Sequence, residues 1–143
     1  MKKYLVIPVL VFASCAGNGD KKADEPKQSG AYCFLLTEGA GGQDTTTVHL
    51  MIDADKVSGE MDWLPKEKDR RKGTLAGTIA GNEIAAVWTF MQEGVMDSIH
   101  IAFKLLSEQL TQKPLKINTA NGRQETDETA GYTISYKPVD CKM

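Results

Sequence analysis

From Ala31 onward the apolar residues of this chain recur at every second position, and the runs break at Gly, Asp, Asn or Pro. A period of two is that of a strand whose side chains point alternately to opposite faces, one of them toward a core. Val48, Leu50 and Ile52 alternate with Thr47, His49 and Met51, ahead of a turn at Asp53-Ala54-Asp55. Val57, Gly59, Met61 and Trp63 share the next face until Pro65, which cannot donate to a ladder, ends the run. Leu75, Gly77 and Ile79 follow, then a tight hairpin turn at Gly81-Asn82, then Ile84, Ala86, Trp88 and Phe90. Beyond Glu93-Gly94 come Ile99, Ile101, Phe103 and Leu105, and the chain closes with Tyr132, Ile134 and Tyr136. The stretch from Ser107 to Thr129 holds only Leu110, Leu115 and Ile117 as apolar anchors and predicts one or two short strands.

Runs spaced by roughly ten residues and joined by short turns favour sequential antiparallel pairing. About eight strands fit the length, and curling such a meander until its first strand meets its last removes both exposed edges. The expected fold class is therefore all-β, a small antiparallel meander barrel, with a two-sheet sandwich as the alternative. At this strand number the interior is either filled or holds one small ligand. The inward set includes Trp63, Trp88, Phe90, Phe103, Tyr132 and Tyr136, enough to fill a short barrel, and a filled interior is the expectation. The sharper alternative is a cup lined by Trp63, Trp88, Phe90 and Phe103 around a small apolar ligand. That plan resembles the calycin-like barrels of lipocalins and avidins.

The amino terminus carries a second pattern. Lys2-Lys3 precede an apolar run from Tyr4 to Phe12, then Ala13, Ser14 and Cys15. The run is too short for a membrane-spanning helix and has the layout of a secretion signal. Phe12-Ala13-Ser14-Cys15 resembles the lipobox of bacterial lipoproteins. The resemblance implies cleavage after Ser14 and lipidation of Cys15, and hence attachment to a membrane through several acyl chains, each buried methylene contributing about 0.8 kcal/mol. It divides the chain into a signal peptide over 1–14, a lipidated cysteine with a flexible tether over 15–30, and a β-barrel domain over 31–143. The tether is rich in Gly, Lys, Asp and Glu and has almost nothing apolar to bury. Asp20-Lys21-Lys22-Ala23-Asp24-Glu25 resembles the surface-export signals of Bacteroidota lipoproteins, and Ala16 after the cysteine fits sorting to the outer membrane. A charged linker with no export role is the other reading of that segment.

Export bears on the remaining cysteines. With Cys15 committed to lipid, two of the three cysteines are left, Cys33 and Cys141. An oxidising compartment rarely leaves such a pair reduced, so a Cys33–Cys141 disulfide is expected. Its geometry demands that the first strand and the segment after the last lie side by side, as barrel closure also requires.

Charge and motifs narrow the function classes. There are 17 basic and 19 acidic residues, and loss of Lys2 and Lys3 with the signal would deepen the acidic excess. This argues against a nucleic-acid partner, which calls for clustered basic charge. The run Lys66-Glu67-Lys68-Asp69-Arg70-Arg71-Lys72 is of mixed sign and reads as a solvated hairpin loop, or else a recognition loop on a rigid scaffold. His49 and His100 fall on outward faces with no metal-ligand spacing, so no metal and no cofactor is expected. No phosphate loop, nucleophile elbow or zinc-helix motif is present, and the chain is expected not to be an enzyme.

Val57-Ser58-Gly59, Glu67-Lys68-Asp69 followed by Gly73-Thr74-Leu75-Ala76-Gly77, Trp88-Thr89-Phe90 leading to Glu93-Gly94, and Val139-Asp140-Cys141 together resemble a group of small Bacteroidota lipoproteins. The resemblance implies fold and location, not an activity. The expected function is a non-catalytic binding domain for a small apolar ligand or an envelope component. The alternative is an inhibitor of another enzyme or an envelope-maintenance protein, similar in plan to the lipoprotein inhibitors of lysozyme.

Overall fold

The structure, a computed structural model, describes residues 29–107 and 109–142. The lipobox, Cys15 and nearly all of the tether lie outside the described residues. The strands are β1 (Gly30–Glu38), β2 (Asp44–Asp53), β3 (Lys56–Leu64), β4 (Arg71–Ala80), β5 (Glu83–Gln92), β6 (Val95–Leu106), β7 (Gln109–Gln112), β8 (Leu115–Ile117), β9 (Gln124–Thr126) and β10 (Ile134–Val139). A short 3-10 turn, Ala40–Gly42, separates β1 from β2.

Eight of these strands form a closed antiparallel barrel in the order β1-β10-β7-β6-β5-β4-β3-β2, and β8 and β9 pair apart as a two-stranded hairpin. The barrel is thus the expected meander with one excursion inserted between β7 and β10. Strand direction alternates, so the connections sort to two ends. The turns at 54–55 and 81–82 and the connection from β6 to β7 share one end with the entry of β1, where the Ala54 amide donates to Ser29 Oγ over 3.3 Å. The connections over 39–43, 65–70 and 93–94, together with the β8–β9 excursion, share the other.

The alternation in the sequence maps onto the wall as predicted. Phe34, Val48, Leu50, Ile52, Val57, Met61, Leu75, Ile84, Ala86, Trp88, Phe90, Ile99, Ile101, Phe103, Leu105, Leu110 and Tyr136 form one buried cluster. Gly73 and Gly77 occupy inward positions beside Leu75, and a methyl group there would fall 1.9 Å from the Thr89 carbonyl oxygen and 2.1 Å from that of Ala85. Bare backbone at these points lets β4 bend tightly against β5 and curl the sheet.

Closure is uneven. β1 and β2 pair over nine residues, whereas β1 and β10 pair over three, from Cys33↔Val139 to Leu35↔Lys137. The Cys33–Cys141 disulfide lies at this seam, with Cα atoms 5.2 Å apart and 108 residues between its ends.

Two expectations are corrected. Ser107 to Thr129 contains three short strands, not one or two, because β8 and β9 pair with each other and not within the barrel wall. Tyr132 does not join the interior. It precedes β10 and lies under the ammonium groups of Lys104 and Lys113, at 5.4 and 5.6 Å from its ring centroid, on the outer face.

Candidate functional site: a cleft at the excursion end

Toward the end where β1 enters, the barrel is packed solid: Phe103, Leu50, Leu105, Ile84 and Leu110 are each at most 1% exposed. Toward the other end packing gives way to a cleft of about 240 Å³. β7 and β10 are too short to complete the wall there. Above β7 the edge of β6 is instead met by the excursion, through the Lys113 amide to the Ala102 carbonyl at 3.0 Å and the Thr126 hydroxyl to the His100 carbonyl. Leu115 and Gln124 of the hairpin thereby face Met61, Trp63 and Trp88 of the barrel across the cleft.

The cleft is apolar on most sides and carries fixed polar groups. Trp88 is held rigid because its indole N–H donates to the Met61 carbonyl at 2.8 Å and its ring packs against Phe90 at 4.4 Å between centroids. The buried Tyr136 hydroxyl donates to Gln112 Oε1 at 2.6 Å, and burial pushes that phenol far above its ordinary pKa, with the Glu38 carboxylate adding to the effect. Thr46 and Glu38 complete the polar lining, Thr46 buried and Glu38 on the exposed rim.

Arg71 stands at the centre of this end. Its guanidinium lies 5.3 Å from the Trp63 ring centroid and 4.9 Å from that of Phe90. Nε donates to Gln92 Oε1 at 2.8 Å and Nη1 to Gln124 Oε1 at 2.5 Å. Desolvation lowers its pKa, opposed by the field of Asp97. On its other side Arg71 borders a second hollow of about 650 Å³, rimmed by Glu67, Lys68 and Asp69 and by the Arg123–Asp97 ion pair.

Of the aromatic residues expected to line a cup, Trp63 and Trp88 line the cleft and Trp63 and Phe90 line the second hollow. Phe103 lines neither. It is fully buried against Tyr136, 6.3 Å between centroids, because it sits farther along β6 toward the filled end. The interior is therefore filled at one end and recessed at the other. Glu93, which the sequence left between a turn and a place in the mouth, is the exposed first residue of a turn in which both it and Gly94 have positive φ, 49° and 77°.

Sequence reasoning missed Arg71, Gln112 and Gln124. Arg71 lies in the charged run from Lys66 to Lys72, yet it shares parity with Gly73, Leu75, Gly77 and Ile79. Extending that alternation two residues backward turns it inward. No comparable signal marks the two glutamines.

A larger concavity, about 1160 Å³, crosses the outer face over the disulfide and includes His49, Glu60 and Asp62. It is a broad depression among outward side chains and lacks an enclosing wall. Here Cys33, His49 and Cys141 bring ligand-type atoms within 4.8 Å of one another. The two sulfurs are bonded to each other, which leaves one imidazole nitrogen and no cation cage. Comparison with protein-family models, curated proteins and solved structures found no match for this chain.

Proposed function

We propose that this chain is a lipid-anchored envelope protein whose barrel binds a small, mainly apolar molecule in the cleft between Trp63 and Trp88, without catalysis. The observation that carries the reading is the change from solid packing to an indole-walled recess inside one barrel. A side chain filling that space would add buried apolar contact, and recessed apolar sites with a few fixed polar groups are where small ligands bind. The lining offers no paired nucleophile and base: the Tyr136 hydroxyl is spent on Gln112, and Glu38 is the one carboxylate among the lining residues. The anchor rests on the resemblance of Phe12 to Cys15 to a lipobox.

Titrating the chain with small aromatic and aliphatic molecules while following tryptophan emission tests the binding reading. Saturable quenching that weakens in Trp63→Ala supports it, and flat titrations across the panel reject it. Labelled palmitate tests the anchor: incorporation lost in Cys15→Ser is expected, and no incorporation rejects it.

A protein partner is the second reading. It is favoured by the β5–β6 hairpin tip, where Met91, Val95 and Met96 are 45%, 66% and 60% exposed at the same end as the cleft. Recovery of one stoichiometric envelope protein, lost when Val95 and Met96 are changed to Ser, would support it over small-molecule binding.

A further inference from the structure

We infer that the cleft selects molecules bearing a carboxylate, with Arg71 as the group that receives it. This deepens, and rests on, the binding reading above. Arg71 is not ion-paired among the described residues: the six ion pairs there involve other cations, and Asp97 is bound to Arg123. Its two hydrogen-bond partners are neutral carboxamides, and they engage Nε and Nη1, leaving Nη2 with no acceptor among the described residues. Two aromatic rings and two amides thus fix the plane of the guanidinium while part of its donor fork stays free.

Arg71 is half-buried, and taking part of a cation out of water carries a cost that an anion brought to it recovers. A guanidinium pairs best with a planar oxyanion that accepts two parallel hydrogen bonds. The hydrophobic part of such a ligand would rest against Trp63, Trp88, Leu36, Leu115 and Ile134. A recess of about 240 Å³ lies below the range of roughly 300 Å³ and above that holds drug-sized ligands. That size fits a small aromatic or branched monocarboxylate and excludes a long acyl chain. Glu38 also lines the cleft, but it is solvent-exposed, so screening weakens its repulsion.

The test is calorimetric titration of the full chain with phenylacetate, benzoate and 4-methylpentanoate, each beside its neutral amide, and with phenethylamine as the cation. Acids are expected to bind at least about ten-fold more tightly than their amides. In Arg71→Gln that ratio falls toward one. Equal affinity for acids and amides in the unaltered chain overturns the carboxylate inference and leaves the binding reading standing. Preference for the amine overturns it likewise. Absence of binding by every compound overturns both. Because the acid-to-amide ratio is read in the unaltered chain, the outcome does not depend on how well Arg71→Gln folds.

Discussion

Tyr136 is the buried phenol on which the recess and the core meet, and its environment has a consequence for alkaline stability. Its folded-state pKa is raised, first by desolvation and then by Glu38, while in the unfolded chain it titrates near its ordinary value of about 10. Its contribution is therefore complete below pH ~10 and is lost progressively as the pH rises above that, because only the unfolded chain releases the proton. Denaturant midpoints measured between pH 8 and 11.5 are expected to fall above pH ~10. In Tyr136→Phe the fall is shallower, though not absent, since burial also raises Tyr32 and Tyr132. Ala54 is strained in the opposite sense, holding a φ of 53° at the β2–β3 turn. An L-residue there costs about 1–2 kcal/mol, partly offset by the entropy a glycine would lose. Ala54→Gly is expected to stabilise by about 0.5–1 kcal/mol in equilibrium unfolding. Trp63 and Trp88 were legible because alternation assigns a face to every residue of a clear run. Arg71 was not, because six polar or charged neighbours hid the parity that links it to Leu75.

The elements differ in how firmly they are held. β2 through β6 share ladders of eight to ten residue pairs, whereas β10 is held to β1 by three pairs and to β7 by three. Pro138 further removes one donor from β10. Breaking the Cys33–Cys141 bridge is expected to raise amide exchange in β1, β7 and β10 well before β3 to β5. Exchange mass spectrometry of Cys33→Ser/Cys141→Ser against the unaltered chain checks this, and uniform acceleration would contradict it. The stretch from Ser107 to Thr129 was not legible in the sequence. Runs of three or four residues are too brief to display a period of two, and β8 and β9 are stabilised by side-chain ties such as Lys113–Glu128 and Lys116–Asp127. Such polar contacts leave no apolar rhythm in the sequence.

Across the whole molecule, closure and covalent linkage act together. By the chain-entropy model a loop of this length stabilises by about 4–5 kcal/mol, and measured native bridges usually give about 2–4. Loss of the bridge is expected to lower unfolding stability by about 2–4 kcal/mol in urea titrations, a large share of what a domain of this size possesses. The barrel itself was legible because long alternating runs and two-residue turns leave antiparallel neighbours few other ways to pair. Which part of its interior is hollow was not, since that depends on where β7 and β10 stop. The polypeptide enters the barrel beside the turns at 54–55 and 81–82, at the pole opposite Trp63 and Arg71. The mouth between Trp63 and Arg71 is therefore clear of the point where β1 begins and stays open to whatever the surrounding fluid carries.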